Sequence, residues 1–504
     1  MTGLTGSIWK VTSSGDDHMN IGEIFENAPK LEVKTIMTDS RTKCEAGIFF
    51  CIRGMVYDGH DFIDEAIRNG AVCIVISREL DNYVNGVTYI MVDDTIGALH
   101  DFADVFYGQP TRNLKIYGVA GSDGKSTVAM IVQCLSNHFT KTAYVGSRGI
   151  IRDNVSVEVS RNEVNQIYFQ KTCRAMKKEG CTAVAMEVET RFVEARFMDN
   201  VNFDILSFTN LNKSKMDFIE SDEKYFSSKQ KLFATLTKKQ KAIINIDDEY
   251  GVRLAQQTSG TLVTYGFDPH ADYRATAVRL EPDRTEFILL HDGKRYEVRT
   301  NLLARFNIYN LVNALAILHE DGYPLEELIP LCRKLNVIDG RMESIREGQP
   351  FNIVIDSART LDSFKKVLEY AEKINRTDNR IICVFSLPGG RETSRRGQYG
   401  TLADEKCDLL ILTVSDSRME NPADIAEGIR QGVSNANVIY IDDRYMAIRQ
   451  ALELANPKDT VLILGKGDET YLDIRGEKTY WPSDAEVARE IVRELYGRNE
   501  NEAE

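Results

Sequence analysis

The sequence predicts an α/β protein of roughly three domains, and three observations carry that prediction. Apolar runs of strand length alternate with helical stretches along nearly the whole chain, as in doubly wound parallel sheets. The chain has 504 residues, against a usual span of about 100–200 residues per domain. One run, Gly118-Val-Ala-Gly-Ser-Asp-Gly-Lys-Ser-Thr127, has the layout of strand, glycine loop and helix.

The first segment, 1–112, places strands at Gly47–Ile52, Ala71–Ser77 and Val87–Val92, and helices at Asp61–Arg68 and Ile96–Tyr107. The second, 113–336, begins with the apolar run Leu114–Tyr117 and the glycine loop, followed by a helix with Val128, Ile131, Val132 and Leu135 on one face. Its further strands include Thr182–Val188, Phe203–Phe208 and Ala242–Ile246, each ending in polar residues, where open α/β sheets hold ligands. The third, 337–504, opens near Asp339-Gly-Arg-Met-Glu343. It has strands at Phe351–Asp356, Arg380–Phe385, Leu409–Val414, Val438–Ile441 and Thr460–Leu464, with a charged tail from Arg498 to Glu504. No internal repeat is visible.

Composition narrows the function classes. With 43% hydrophobic residues and only 11 prolines the chain has material for packed cores. No apolar run approaches the roughly 18 residues of a spanning helix, and no basic-then-apolar leader opens the chain, so a soluble protein is expected. A net charge of −14 argues against a general nucleic-acid binder. The nine cysteines are scattered, with no Cys-x-x-Cys, so neither a zinc site nor a disulfide framework is indicated and a reducing cytoplasm is expected. No heptad pattern stands out, which makes a monomer the default.

The glycine run carries the clearest chemistry. Glycines let backbone N–H groups close around phosphate oxygens, and the helix N-terminus adds its positive end. Gly121, Ser122, Asp123 and Gly124 would form the cradle, Lys125 would reach the terminal phosphates, and the Ser126 or Thr127 hydroxyl would ligate Mg²⁺. Val119 stands where the strict nucleotide-loop pattern has glycine. A dinucleotide-binding loop is the rival reading, but it has no use for Lys-Ser directly after the last glycine.

Several phrases, in order over nearly the whole length, resemble the Mur ligases, and the muramyl-tripeptide synthetase (MurE) branch most of all. They are Asp39-Ser-Arg41, Gly47-Ile-Phe49, Asp58-Gly-His60, the glycine loop, Met186-Glu-Val188, Thr209-Asn-Leu211, Tyr225-x-x-x-Lys229-x-x-Leu-Phe233, Asn245-Ile-Asp-Asp248 and Phe306-Asn-Ile-Tyr-Asn310. Gly340-Arg-Met-Glu343, Gly389-Gly-Arg391, Arg418-x-Glu-x-Pro422 and Gly465-Lys-Gly-x-Glu469 follow. The resemblance implies a uridine-nucleotide-binding first domain, a P-loop-type central ATPase domain and a Rossmann-like C-terminal domain for the incoming amino acid. It implies an enzyme that joins an amino acid to a carboxylate of a UDP-muramyl-peptide-like acceptor, using ATP and Mg²⁺ through an acyl phosphate. Phosphoryl transfer of this kind depends mainly on positioning and charge neutralisation. By the same resemblance Ser126 and Glu187 would hold a first Mg²⁺, and Lys229, if carbamylated, a second. Asn310 would contact adenine, Asp356 the ribose, and Arg341 would lie at the hinge that closes over ATP. Ser40 and Arg41 fall in the uridine-binding phrases, while Arg391, Arg418 and Glu469 would hold the incoming amino acid. Blander roles compete: Glu187 as a surface acid, Lys229 as a solvated helix lysine, and Asp356 as a helix cap.

The chain also departs from the pattern. Four family histidines are replaced by Arg191, Lys215, Arg359 and Asp468. Lys215 stands where the family has a ligand of the second metal; an ammonium is no ligand, but it could supply positive charge to phosphate directly. The muramyl-gripping Thr-Thr-Pro aligns with Ser160-Arg161-Asn162, and Asp-Asn-Pro-Arg with Ser415-Asp-Ser-Arg418. Two alternatives stay open at this level: a related amide ligase acting on another carboxylate outside peptidoglycan, and a catalytically degenerate nucleotide-binding protein.

Overall fold

The structure, a computed structural model, describes residues 18–26, 28–54, 57–152, 155–157, 166–211, 222–335, 339–375, 379–391 and 393–497. Lys215, Ser160 and Arg161 lie outside the described residues.

Among the described residues three sheets of four or more strands follow one another along the chain, beside two two-stranded ones. A four-stranded parallel sheet joins Thr35–Met37, Gly47–Phe50, Ala71–Ile76 and Thr88–Met91. Its inner strands are apolar on both faces: Gly47–Phe50 is buried throughout, as parallel strands covered on both sides must be. The second sheet has eleven strands. At its centre Thr142–Gly146, Ala183–Val188, Lys115–Ala120, Ile205–Phe208, Lys241–Asn245 and Thr261–Gly266 run parallel in that spatial order. The third has six strands, of which Asn352–Asp356, Thr460–Leu464, Ile381–Phe385, Leu409–Leu412 and Asn437–Tyr440 are parallel. Glu343–Ile345 adds an antiparallel edge.

The expected strands and helices appear within a few residues of their expected ends, and Val128, Ile131, Val132 and Leu135 are all buried. The middle sheet, expected to be parallel, is mixed. Tyr273–Leu280, Thr285–His291 and Lys294–Thr300 extend it, the last two pairings being antiparallel. The last pair turns at Asp292-Gly293, where φ is +47° and +72°. Two consecutive positive φ values make a tight two-residue hairpin, and Asp-Gly is the sequence signal for it.

The packing explains where ligands have room. In the middle sheet, helix Lys125–Ser136 and helix Arg305–Glu320 cover one face, with the apolar side chains of both in one cluster. Helices Gln166–Lys178 and Asp222–Ala234 cover the other. Both faces are filled, so the polar ends of the parallel strands are the open edge. Among the described residues no helix is long and apolar enough to cross a membrane.

In the third sheet the fully buried Arg444 pairs with the fully buried Asp484 through two hydrogen bonds of 2.8 and 2.6 Å. The same guanidinium donates to the Val414 and Leu464 carbonyls, and Trp481 Nε1 donates to Asp484. These bonds tie two strand ends to the start of helix Asp484–Tyr496.

Candidate functional site

The glycine loop sits where strand Lys115–Ala120 hands over to helix Lys125–Ser136. Its shape is imposed by the residues after the neighbouring strand Ile205–Phe208. Ser122 N–H donates to the Asn210 carbonyl at 2.8 Å and Asp123 N–H to Asn210 Oδ1 at 3.1 Å. In return Asn210 Nδ2 and Thr209 Oγ1 donate to the Asp123 carbonyl at 3.1 and 2.6 Å. Glycine is needed at two positions for definite reasons. At Gly121 φ is +138° and a Cβ would stand 2.1 Å from Thr209 Oγ1; at Gly124 φ is +84° and it would stand 2.4 Å from Asn310 Oδ1. Gly121→Ala is therefore expected to strain the loop by about 1–3 kcal/mol. It should weaken ATP binding at least about tenfold, which equilibrium dialysis measures directly.

Lys125 lies over the loop, its Nζ donating to the Gly121 and Ser122 carbonyls at 3.0 and 3.1 Å. Ser126 Oγ, one residue on, lies 3.2 Å from Ser147 Oγ. Ser147 in turn donates to Glu187 Oε1 through both N–H and Oγ at 3.0 Å, and Tyr144 OH donates to the same oxygen. Burial and the Glu187 charge raise the Tyr144 pKa well above its ordinary value, so Tyr144 keeps its proton as a donor. Ser126 and Glu187 are thus joined through one hydroxyl. Glu187 is buried, which excludes the surface-acid reading. Sequence reasoning missed Tyr144 and Ser147, which carry no local signal. Hydroxyl and carboxylate oxygens, here from Ser126 at the start of its helix and Glu187 on its strand, are hard donors of the kind Mg²⁺ accepts.

Lys229, on helix Asp222–Ala234, is fully buried. Its Nζ has no hydrogen-bond partner among the described residues and lies 5.3 Å from the Tyr225 ring centre. Burial, and then the nearby Lys125 charge, pull its pKa down to about 7, with Glu189 and Glu194 acting the other way. A solvated lysine would show neither feature. Among the described residues no group of three or more His, Cys, Asp or Glu could hold a metal ion.

Asn310 meets the loop at Gly124 and is buried, donating to Asn307 Oδ1 at 2.9 Å. Asp356 ends its strand, accepts from Met342 N–H at 2.8 Å and is buried beside the charge of Arg341. It does not cap the following helix; Thr360 does, in a capping box with Ser363. Burial raises the Asp356 pKa from 3.8 to about 6, although Arg341 and backbone N–H groups oppose the shift. A raised carboxyl pKa favours the folded state below pH 3.8, and the benefit is lost as pH rises through about 6. Asp356→Asn is accordingly expected to be more stable than wild type at pH 7.5 by about 2–3 kcal/mol. The gap should close towards pH 4, as denaturant titrations at the two pH values would show.

The remaining expected residues lie in the first sheet's loops, after the middle-sheet strand Ala183–Val188 and at the third sheet's strand ends. In the first sheet's loops, Ser40 donates to Glu65, and Arg41 makes two bonds to Asp39, at 2.9 and 2.7 Å, on the surface. Those bonds hold the Asp39 carboxyl down to about 2. Arg191 donates to Glu189 Oε2 at 2.8 Å. At the third sheet's strand ends, Arg418 donates to the Gly389 carbonyl at 3.2 Å, so it shares a loop cluster with Arg391, and Glu469 accepts from Lys466 at 2.6 Å. Contacts between the middle and third domains include Arg148, which donates to the Asp339 carbonyl at 2.8 Å and pairs with Asp468 at 2.6 Å, and Tyr370, whose hydroxyl donates to the Glu281 carbonyl at 3.0 Å.

Comparison with known proteins agrees with this layout. Residues 32–107 match the model described as Mur ligase family, catalytic domain, residues 119–318 the Mur ligase middle domain, and residues 340–467 the Mur ligase, glutamate ligase domain. The chain is 34% identical over 471 residues to the UDP-N-acetylmuramyl-tripeptide synthetase 2 of Oceanobacillus iheyensis, covering 92% of this chain and 95% of that protein. It is 32% identical over 491 residues to the UDP-N-acetylmuramoyl-L-alanyl-D-glutamate--2,6-diaminopimelate ligase of Halalkalibacterium halodurans, covering 97% and 99%. A solved structure of a ligase of the latter name is 24% identical and superposes with a TM-score of 0.74 over 95% of this chain and 99% of its own. The MurF ligase of Thermotoga maritima, solved with ADP, shares the fold at 17% identity and a TM-score of 0.58, over 92% of this chain and 97% of its own. On identity sustained across more than nine-tenths of its length, the chain belongs to the Mur ligase family.

Proposed function

We propose that this protein is an ATP-dependent amide ligase that adds an amino acid to the carboxylate of a UDP-N-acetylmuramoyl-peptide acceptor. The observation that carries the reading is the clasped glycine loop, with Lys125, the Ser126–Ser147–Glu187 chain and the buried Lys229 around it. The two relatives compared above, both named for muramyl-peptide substrates, supply the acceptor class.

Loop N–H groups and Lys125 would receive phosphate oxygens, placing positive charge where phosphoryl transfer concentrates negative charge. Ser126 and Glu187 would hold Mg²⁺, which neutralises phosphate charge when bound. Asn310 would position the base, and Asp356 and Arg341 the sugar, from the hinge side. Ser40 and Arg41 would meet the uridine nucleotide, and the family resemblance assigns Ser160, Arg161 and Arg191 to the muramyl part of the acceptor. Arg391, Arg418 and Glu469 would face the incoming amino acid. The acceptor carboxylate takes the terminal phosphoryl group, and the amine then displaces phosphate to form the amide.

A lysine whose pKa is about 7 is largely neutral under mildly alkaline conditions, the form that adds CO₂. The carbamate would give Lys229 oxygen ligands for a second cation, and Lys215, which lies outside the described residues, would supply positive charge to phosphate. Phosphate release from Mg-ATP and UDP-MurNAc-L-Ala-D-Glu across an amino-acid panel tests the function. Release that needs both acceptor and amine supports it; nucleotide binding without turnover for any pair contradicts it. Removing CO₂ and bicarbonate should lower the rate at least about tenfold and restoring bicarbonate should recover it, if the carbamate stabilises transferred charge.

A further inference from the structure

The parallel strands of the third sheet gather four loops at one edge, and a closed set of charges lies among them. Arg359 Nε donates to the Gly465 carbonyl at 2.8 Å, and its Nη2 pairs with Glu469 and lies 3.9 Å from Asp416. Lys466, fully buried, donates to Asp416 Oδ1 at 2.8 Å and to Glu469 Oε2 at 2.6 Å, with its Nζ 4.4 Å from the Tyr471 ring centre. Asp416 Oδ1 also accepts from Asp473 N–H at 3.0 Å. The two carboxylates are thus matched by two cations of the chain itself. Arg391 and Arg418, at the neighbouring loops, have no carboxylate partner among the described residues. Ser417, between Asp416 and Arg418, is buried with an unpartnered hydroxyl.

We propose that Arg359 is a specificity-determining residue that makes this loop cluster select an amino acid whose side chain ends in a carboxylate without a second amine. The inference rests on the ligase reading above. A distal ammonium seeking Glu469 meets Arg359 and Lys466 already bound there, and must displace one or lie beside both. A distal carboxylate finds two guanidinium forks suited to it and the Ser417 hydroxyl as a further donor.

The test compares meso-diaminopimelate, 2-aminopimelate (the same chain without the distal amine) and lysine as amine substrates. Wild type should use 2-aminopimelate with a kcat/KM at least about tenfold above the other two. Arg359→Gln, which leaves Glu469 with Lys466 as its one remaining cation among the described residues, should move the ratio at least about tenfold towards diaminopimelate, and Arg359→Lys should keep the wild-type order. Melting curves establish that each variant is folded. A wild type that prefers diaminopimelate or lysine overturns the proposal, as does a folded Arg359→Gln with an unchanged ratio. Hydroxylamine in place of the amino acid separates the two claims. Acceptor hydroxamate forming without a preference for 2-aminopimelate sinks this inference alone; no hydroxamate and no amide sinks the ligase reading and this inference with it.

Discussion

Lys125→Met is expected to lower turnover by about 10²–10³-fold, the usual loss when a preorganised charge is removed from a phosphoryl-transfer site, with melting behaviour close to wild type. Among the described residues Lys125 makes two hydrogen bonds, both to loop carbonyls, so its removal breaks no buried ion pair. A second effect follows from its neighbour. The Lys125 charge helps to depress the Lys229 pKa, so removing it should raise the pH at which Lys229 becomes neutral. Amine-selective labelling of Lys229, followed against pH by peptide mass, should show its midpoint above about 7 in the variant. A Lys125→Met enzyme with wild-type turnover would mean that the loop does not hold the reacting phosphates.

The largest expected effect on stability belongs to Arg444. Arg444→Ala leaves Asp484 as a buried carboxylate stripped of its two ion-pair bonds. Breaking one partner out of a buried pair costs about 3–5 kcal/mol. The Val414 and Leu464 carbonyls also lose their donor, which places the loss at the upper end. Arg444→Met combined with Asp484→Leu should recover much of it, because the pair's own desolvation cost disappears with it. Urea titrations of wild type, single and double variants would check both statements. A double variant as unstable as the single would mean that the guanidinium's carbonyl bonds, and not the stranded charge, dominate.

These expectations differ in how far sequence could have led to them. The nucleotide loop was legible because its requirements are local: glycines at left-handed positions, then Lys-Ser opening a helix with a clear apolar face. The parallel strands were legible for the same reason, as continuous apolar runs. The hairpin at Asp292-Gly293 carried a readable turn signal, but the alternation of its flanking strands is the weaker sign of sheets open on one side. What no local pattern announces are contacts between distant segments. Ser147 and Tyr144 reach Glu187 across some forty residues, and Arg148 reaches Asp339 across 191. The pairing of Arg359 with Glu469 is of that kind too. As a replaced histidine it was visible; as the partner that occupies Glu469 it needed the fold. Burial was equally hidden. Helix Asp222–Ala234 is polar on average, yet Lys229 on it is fully buried.

The central claim, that this chain forms an amide on a UDP-muramyl peptide at the expense of ATP, is tested most directly by the mass of the product. Purified protein, Mg-ATP and UDP-MurNAc-L-Ala-D-Glu are incubated with each amino acid in turn, and the uridine-containing species are weighed. The account predicts one new species, heavier than the acceptor by a single amino-acid residue, appearing with stoichiometric ADP and phosphate and forming about 10²–10³-fold more slowly with Lys125→Met. An acceptor mass unchanged across the whole panel, from a protein that still binds ATP, would contradict it.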